Sequence, residues 1–399
     1  MMKRFKLAIL AVIFSGNVIS QCISEFGIWN NNANFIIEYY QDKVITSTTS
    51  GIQFIDVSSP SSPTPTASLG NPASFPMAIE VDGNYAYFGG GMNPYFMIAD
   101  ISNINFPTQV GITTNLSGTA YDIALSGNYA FMPTSSSILY AIDITNKTTP
   151  SVVSSINLGS FSQGIAIQGN YAFVGTNAGL QVIDISDPLN MTIVTTFGGG
   201  YAQIAADLAN NRLFVSKTAS GFDAIDISDP TNPVGLFQGI GGNTLGKLVY
   251  KNNYVFQIGT NAVSAFHITQ NSSTYLCSYN STLNGQINSV AVKDSVFYVT
   301  TVNDFHVLNL NGAIIGLNHL DNTSKLIAYP NPAKESIYLE VQDNKTYLIE
   351  IVDTKGKAQY SDQIMYGKLE INTSNLESGI YFIRSYSDGN LMITKFVKQ

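Results

Sequence analysis

The chain is poor in charge, cysteine, histidine and tryptophan: of 399 residues 12% are charged, two are cysteines, three are histidines and one is a tryptophan. A net charge of −8 spread thinly, with no run of Lys or Arg, cannot build the basic surface that a phosphate backbone requires, so nucleic acid is not an expected partner. The histidines His267, His306 and His319 lack metal-ligand spacing, and no nucleophile elbow, Walker loop, HExxH or EF-hand pattern occurs. Neither a metal nor a cofactor is therefore expected. Past the first twenty residues no apolar run is long enough for a membrane-crossing helix, so the expectation is a soluble or surface-attached mature chain. Long helices are not expected either, because aromatics at 11% amid abundant Gly, Asn, Ser and Thr are the composition of strands and turns.

The N-terminus has the layout of a secretory signal over residues 1–20. Lys3, Arg4 and Lys6 precede an apolar run over 7–14, and Val18 and Ser20 occupy the positions a signal peptidase reads. Cleavage after Ser20 leaves Gln21 first, and a bulky Gln21 before Cys22 argues against lipid attachment there. An exported chain can keep a disulfide, so Cys22 and Cys277 are expected either as two free thiols or as one link between neighbouring outer strands.

What the chain does contain is a repeat. Residues 169–188 read GNYAFVGTNAGLQVIDISDP, and the strand that ends this unit recurs at Asp56, Asp100, Asp143, Asp184 and Asp226, then in worn form at His267 and Asn309. The anchors are 44, 43, 41, 42, 41 and 42 residues apart, the period of propeller blades. Within a unit the apolar pattern breaks into four short strands, and Gly83-Asn84, Gly127-Asn128, Gly169-Asn170, Asn210-Asn211 and Asn252-Asn253 supply primed hairpin turns. The expected fold is all-β, a seven-bladed β-propeller over 21–317. Residues 22–29 resemble the fourth strand of other units, so either they or residues 313–317 close the ring on the last blade.

The repeat resembles the LVIVP-type family of bacterial β-propellers across roughly 22–317, a resemblance that implies a binding or surface scaffold. After a polar linker over 318–325 the pattern changes. Residues 326–399 resemble the C-terminal sorting domain of type IX secretion in Bacteroidetes. The matching elements are Tyr329-Pro330-Asn331-Pro332, Asp353 with Gly356-Lys357, the stretch Ser378-Gly379-Ile380-Tyr381-Phe382, and the closing Lys395-Phe396-Val397-Lys398-Gln399. The resemblance implies an address read by the type IX machinery, and hence a chain exported to the outer surface or the medium, with the tail removed or exchanged for an anchor. Read from the residues alone, the tail is a small β-sandwich in which Gly379 permits an unusual backbone and 395–399 contribute little to the core.

A carboxylate repeated once per blade lies at separate places around a ring, so the VIDIS aspartates are assigned to turns rather than to a site. Side chains converge in a propeller at the central channel, lined by the first strand of each blade. There Glu80, Asp122 and Asp207 interrupt a small, apolar series and are candidate binding carboxylates. The aromatics Phe75, Tyr121, Phe161 and Tyr201, near the starts of those strands, are candidates to stack on sugars or to cover the core. The tripeptide Asp294-Ser295-Val296 resembles a Bacteroidetes O-glycosylation acceptor. The function expected is that of a secreted or cell-surface non-enzymatic protein whose propeller presents loops to a protein or glycan. The alternative is an exported hydrolase or lyase using the channel carboxylates as acid and base.

Overall fold

A computed structural model describes residues 23–30, 36–49, 51–70, 74–91, 94–217, 221–240, 247–259, 262–280, 286–293, 296–310, 327–353, 358–387 and 390–399. The signal over 1–20, Cys22, the alternative closing strand over 313–317, the linker, His319, Asp294, Ser295, Gly356 and Lys357 lie outside the described residues.

Seven four-stranded antiparallel sheets follow one another along the chain. Sheets 1 to 6 span 37–70, 76–114, 124–157, 162–197, 201–239 and 248–280; sheet 7 combines 287–310 with Ile23–Asn30. Each meanders from an inner first strand outward, and the turns are those the sequence dictates. Gly83, Gly127, Gly169, Asn252 and Asn253 all take positive φ at the first hairpin. Strand alternation gives each sheet two apolar faces, and seven clusters fill the seams between successive sheets. Sheets 1 and 2, for example, share Ile45, Phe54, Phe88 and Met97. The series closes where Ile37, Val44 and Ile55 of sheet 1 pack on Ala291, Tyr298 and Phe305 of sheet 7. The arrangement is that of a β-propeller, and burying both faces of every sheet is what holds it together.

The ring is locked by the N-terminal strand. Ile23–Asn30 pairs antiparallel with Asp304–Leu310, Ile23 opposite Leu310 and Asn30 opposite Asp304, so sheet 7 draws on both ends of the repeat region and its outer edge is covered.

The tail is a five-stranded sheet of Ile327–Tyr329, Ser336–Val352, Ala358–Asn372, Gly379–Ser387 and Asn390–Lys398. The long strand Ser336–Val352 shifts register between Val341 and Thr346, and Ile337 and Leu339 before the shift meet Tyr347, Ile349 and Ile351 after it in one cluster. The sheet therefore folds over its own core. Two sequence expectations are corrected here. Gly379 does not take positive φ; it opens an extended strand. The closing residues do contribute to the core, since Phe396 is fully buried and stacks on Tyr381 at 5.6 Å.

Candidate functional site

The repeated aspartates are used locally. Asp56, Asp100, Asp143, Asp184 and Asp226 each accept the backbone N–H two residues on, at 2.8 to 3.0 Å, closing the turn after the third strand. Accepting such bonds favours the carboxylate, and Asp56, which also accepts from the Ser58 hydroxyl at 2.6 Å and from Lys43 at 2.9 Å, is held at about 2. This is the turn role that the sequence assigns.

The hairpin registers align the inner strands in two rows. Glu38, Glu80, Ala124, Ala166, Ala205, Val249 and Ala291 oppose Ile45, Tyr87, Phe131, Phe173, Phe214, Phe256 and Tyr298. Two residues earlier, on the same face, stand Ile36, Ala78, Asp122, Gly164, Gln203, Lys247 and Ser289. Small side chains prevail because inner strands crowd at the axis; a Cβ on Gly164 would meet the backbone nitrogen of Ile204 at 2.7 Å. Charge thus enters as an acidic arc from sheets 1 to 3 and a lysine from sheet 6.

These groups act on one another. Burial, reinforced by the charges of Asp122 and Glu38, pushes Glu80 up to about 8, against the pull of Lys247. Burial likewise pushes Asp122 up to about 6, opposed first by the N–H of Ile165 that it accepts at 3.0 Å and then by Lys247. Glu38 is raised by burial too, with Lys247 opposing. Lys247 donates to the hydroxyl of Ser289 at 3.1 Å. At neutral pH the arc therefore holds a proton on Glu80. Among the described residues no group of three His, Cys, Asp or Glu is placed to hold a metal ion.

The structure gathers some of the expected residues and disperses others. Glu80 and Asp122 feel each other's charge, and Glu38, which was not anticipated, joins them; its place in the register three residues before the Gln41-Asp42 turn, as Glu80 stands before Gly83-Asn84, was the available signal. Asp207 does not join. It ends its strand in a buried pair with Arg212 at 2.7 Å, both only 5% exposed, and Arg212 also donates to the carbonyl of Thr269 in sheet 6. Asp207 thus pins sheet 5 to sheet 6. Of the four aromatics, Tyr121 and Phe161 approach each other, with centroids 5.7 Å apart. The carbonyl of Phe75 accepts the N–H of Gly91. Tyr201 is buried in the seam between sheets 4 and 5, its hydroxyl donating to Asp223 at 2.8 Å.

Cys277 lies buried on the outer strand of sheet 6 and is disulfide-bonded. In the tail, Asn331 joins two of the recognised elements. Its side chain donates to the carbonyl of Lys395 at 3.2 Å and accepts the N–H of Val397 at 3.0 Å, while Ala333 exchanges backbone bonds with Val397 and Gln399. Tyr329 donates to Glu340 at 3.0 Å. Lys395 and Lys398 lie on the last strand, opposite Phe382 and Gly379.

Comparison with known proteins agrees with this architecture. Residues 76–114, 117–157, 160–198 and 199–238 match the LVIVD repeat, the family given above as LVIVP-type. Residues 327–399 match the secretion system C-terminal sorting domain. No curated protein matches the chain. Among solved structures, the β-propeller domain of Cps50 (Swd1) from Myceliophteria thermophila is similar over 72% of this chain and 100% of its own, with TM-score 0.61 and 9% identity. The computationally designed Ika8 protein is similar over 71% of this chain and 99% of its own, with TM-score 0.54 and 11% identity. At such identities the likeness is one of fold. A tail of this family directs export by type IX secretion to the cell surface or the extracellular space, and among the described residues no helix is long and apolar enough to cross a membrane. The chain is an LVIVD-repeat β-propeller protein that ends in a type IX secretion C-terminal sorting domain.

Proposed function

We propose that this protein is an exported, non-enzymatic binding protein whose propeller engages a protein or glycan at the surface or outside the cell. The chain divides into a leader over 1–20, the propeller over 21–317, a linker over 318–325 and the sorting tail over 326–399, which the type IX machinery reads. The observation that carries the reading is the mixed-charge channel, Glu38, Glu80 and Asp122 on one arc with Lys247 across from it. Such a site offers donors and acceptors of both kinds. Glu80, protonated near neutrality, can donate to a ligand oxygen; Asp122 accepts, and Lys247 supplies a cation.

One observation favours a second reading. Glu80 at about 8 and Asp122 at about 6 are neighbouring carboxyls set apart in acidity, the arrangement a hydrolase or lyase uses for acid and base. The two readings part on one experiment. The exported chain is applied to a glycan array and to panels of glycoside, polysaccharide and peptide substrates, alongside Glu80→Gln and Asp122→Asn. Binding weakened by either variant with no turnover supports the binding reading. Turnover that Asp122→Asn abolishes overturns it in favour of the enzyme.

A further inference from the structure

The two ends of the ring differ in charge. The turn aspartates Asp56, Asp100, Asp143, Asp184 and Asp226 all lie at the end where the third strands finish. At the other end, sheets 3 to 5 present the loops 115–121, 158–161 and 198–200, which lead into first strands, and sheets 3 and 4 the turns 135–137 and 177–178, which follow second strands. None of these residues is charged, and most are Gly, Ser, Thr, Asn or Ala. Among them stand Tyr121 and Phe161, each partly exposed, with ring centroids 5.7 Å apart.

Backbone bonds chain these loops together. Ser135 donates its N–H to the carbonyl of Thr119 at 2.9 Å, Leu158 to Ser137 at 2.7 Å, Asn177 to Phe161 at 3.0 Å and Gly200 to Asn177 at 3.2 Å. The hydroxyl of Ser135 accepts the N–H of Thr119 at 2.8 Å in return. Gly118 permits that close approach, since its φ is +81° and a Cβ there would collide with the backbone nitrogen of Ser136. The two ring-bearing loops are thus held by their neighbours, so the pair is a fixed platform and little order is lost when a ligand settles on it. It stands at the rim of the channel, Tyr121 next to Asp122 in sequence and Phe161 three residues before Gly164 of the same row. Asp122 accepts the N–H groups of Ile123 and Ile165 at 3.0 Å each, and a carboxylate with about four acceptor sites has room for further donors.

We infer that this neutral end of the ring, over sheets 3 and 4, binds a glycan of uncharged sugars, with one sugar ring stacked on Tyr121 and Phe161 and its neighbour turned toward Asp122 in the channel. A sugar ring has apolar faces and hydroxyl edges, which suits a single aromatic platform bordered by Ser, Thr and Asn. A protein partner is the poorer fit, because interface cores gather Arg, Met and several aromatics, whereas these loops hold no Arg or Met and one aromatic pair. The uncharged border likewise offers an ionic sugar nothing to pair with. The inference rests on the binding reading above and narrows its ligand to a neutral glycan.

The full exported chain is titrated with methyl glycosides of glucose, galactose, mannose and N-acetylglucosamine and with their short oligomers, by calorimetry and saturation-transfer NMR. Methyl glucuronide and N-acetyl-lysine methylamide serve as charged probes, and an immobilised peptide array stands for a protein partner. Tyr121→Ser and Phe161→Ser remove the platform, while Tyr121→Phe keeps its ring. Phe106→Ser is the control, an aromatic 76% exposed in the turn after the third strand of sheet 2, at the opposite end of the ring. Where a platform variant lowers the melting temperature, Tyr121→Leu and Phe161→Leu keep the apolar cover and test the rings alone. The expected result is binding of a neutral oligosaccharide, weakened about tenfold by loss of either ring and unchanged in Tyr121→Phe and Phe106→Ser. Binding that Asp122→Asn weakens but loss of the rings does not leaves the binding reading standing and overturns the platform. Preference for a charged probe overturns the neutral assignment. Peptide binding without glycoside binding keeps the binding reading and overturns this inference, and binding of neither overturns both.

Discussion

Glu80 makes the stability of the propeller depend on pH in an unusual direction. Its carboxyl rises from an ordinary 4.5 to about 8 on folding, because burial and the charges of Asp122 and Glu38 penalise ionisation. The folded state thus holds a proton that the unfolded chain has released. The stability tied to that proton is complete below about pH 4.5 and is lost as pH rises through 8. A shift of this size at about 1.4 kcal/mol per unit sets a ceiling of about 5 kcal/mol. Glu80 is only half-buried and its titration is shared with Asp122 and Glu38, so about 2 to 3 kcal/mol is the working expectation. Glu80→Gln keeps the shape and removes the charge, so its titration disappears. Urea unfolding of both proteins at pH 5, 6.5, 8 and 9 reads the difference with the slope against urea as a control. The variant should match the parent at pH 5 and exceed it by about 2 to 3 kcal/mol at pH 9. Equal differences at pH 5 and pH 9 would refute the argument, since nothing in the folded state would then be holding the proton.

Asp207→Ala leaves the Arg212 guanidinium buried without its carboxylate and should cost about 3 kcal/mol in unfolding free energy, far more than an exposed pair; a loss under 1 kcal/mol would show that Thr269 alone satisfies the arginine. The only other cysteine is Cys22, so oxidised, unfolded protein should yield no titratable thiol, and reduction should lower the melting temperature; two thiols would exclude the link. Deleting 326–399 should strand a folded propeller in the periplasm, because the tail has its own core and the ring closes through Ile23–Asn30; normal amounts at the surface by fractionation and immunoblot would overturn the sorting role. Asn331→Ala releases the closing strand from the Pro-Asn-Pro segment and should lower both the unfolding temperature of the tail and export, whereas a melt unchanged alongside lost export would mean that the machinery reads Asn331 itself.

The scaffold was legible because the repeat states the same physics many times. A single GN or NN step is weak evidence for a hairpin, but the same step at a fixed distance from an apolar strand and an Asx-turn aspartate leaves few alternatives, and those aspartates take their expected bonds. The residues that matter for ligands are where the repeat departs from itself, and there local patterning loses its force. Asp207 and Asp122 both interrupt a first strand with a carboxylate. What separates them is position along that strand: Asp207 ends it beside Arg212, whereas Asp122 lies five residues before the turn and takes an N–H from the next sheet. Glu38 escaped notice because the first hairpin of its worn unit turns through Gln41-Asp42 rather than through a GN step, which hides the register that aligns it with Glu80. For repeat folds of this kind, the positions to compare are those that register makes equivalent, and the site is sought where one copy breaks what the others keep.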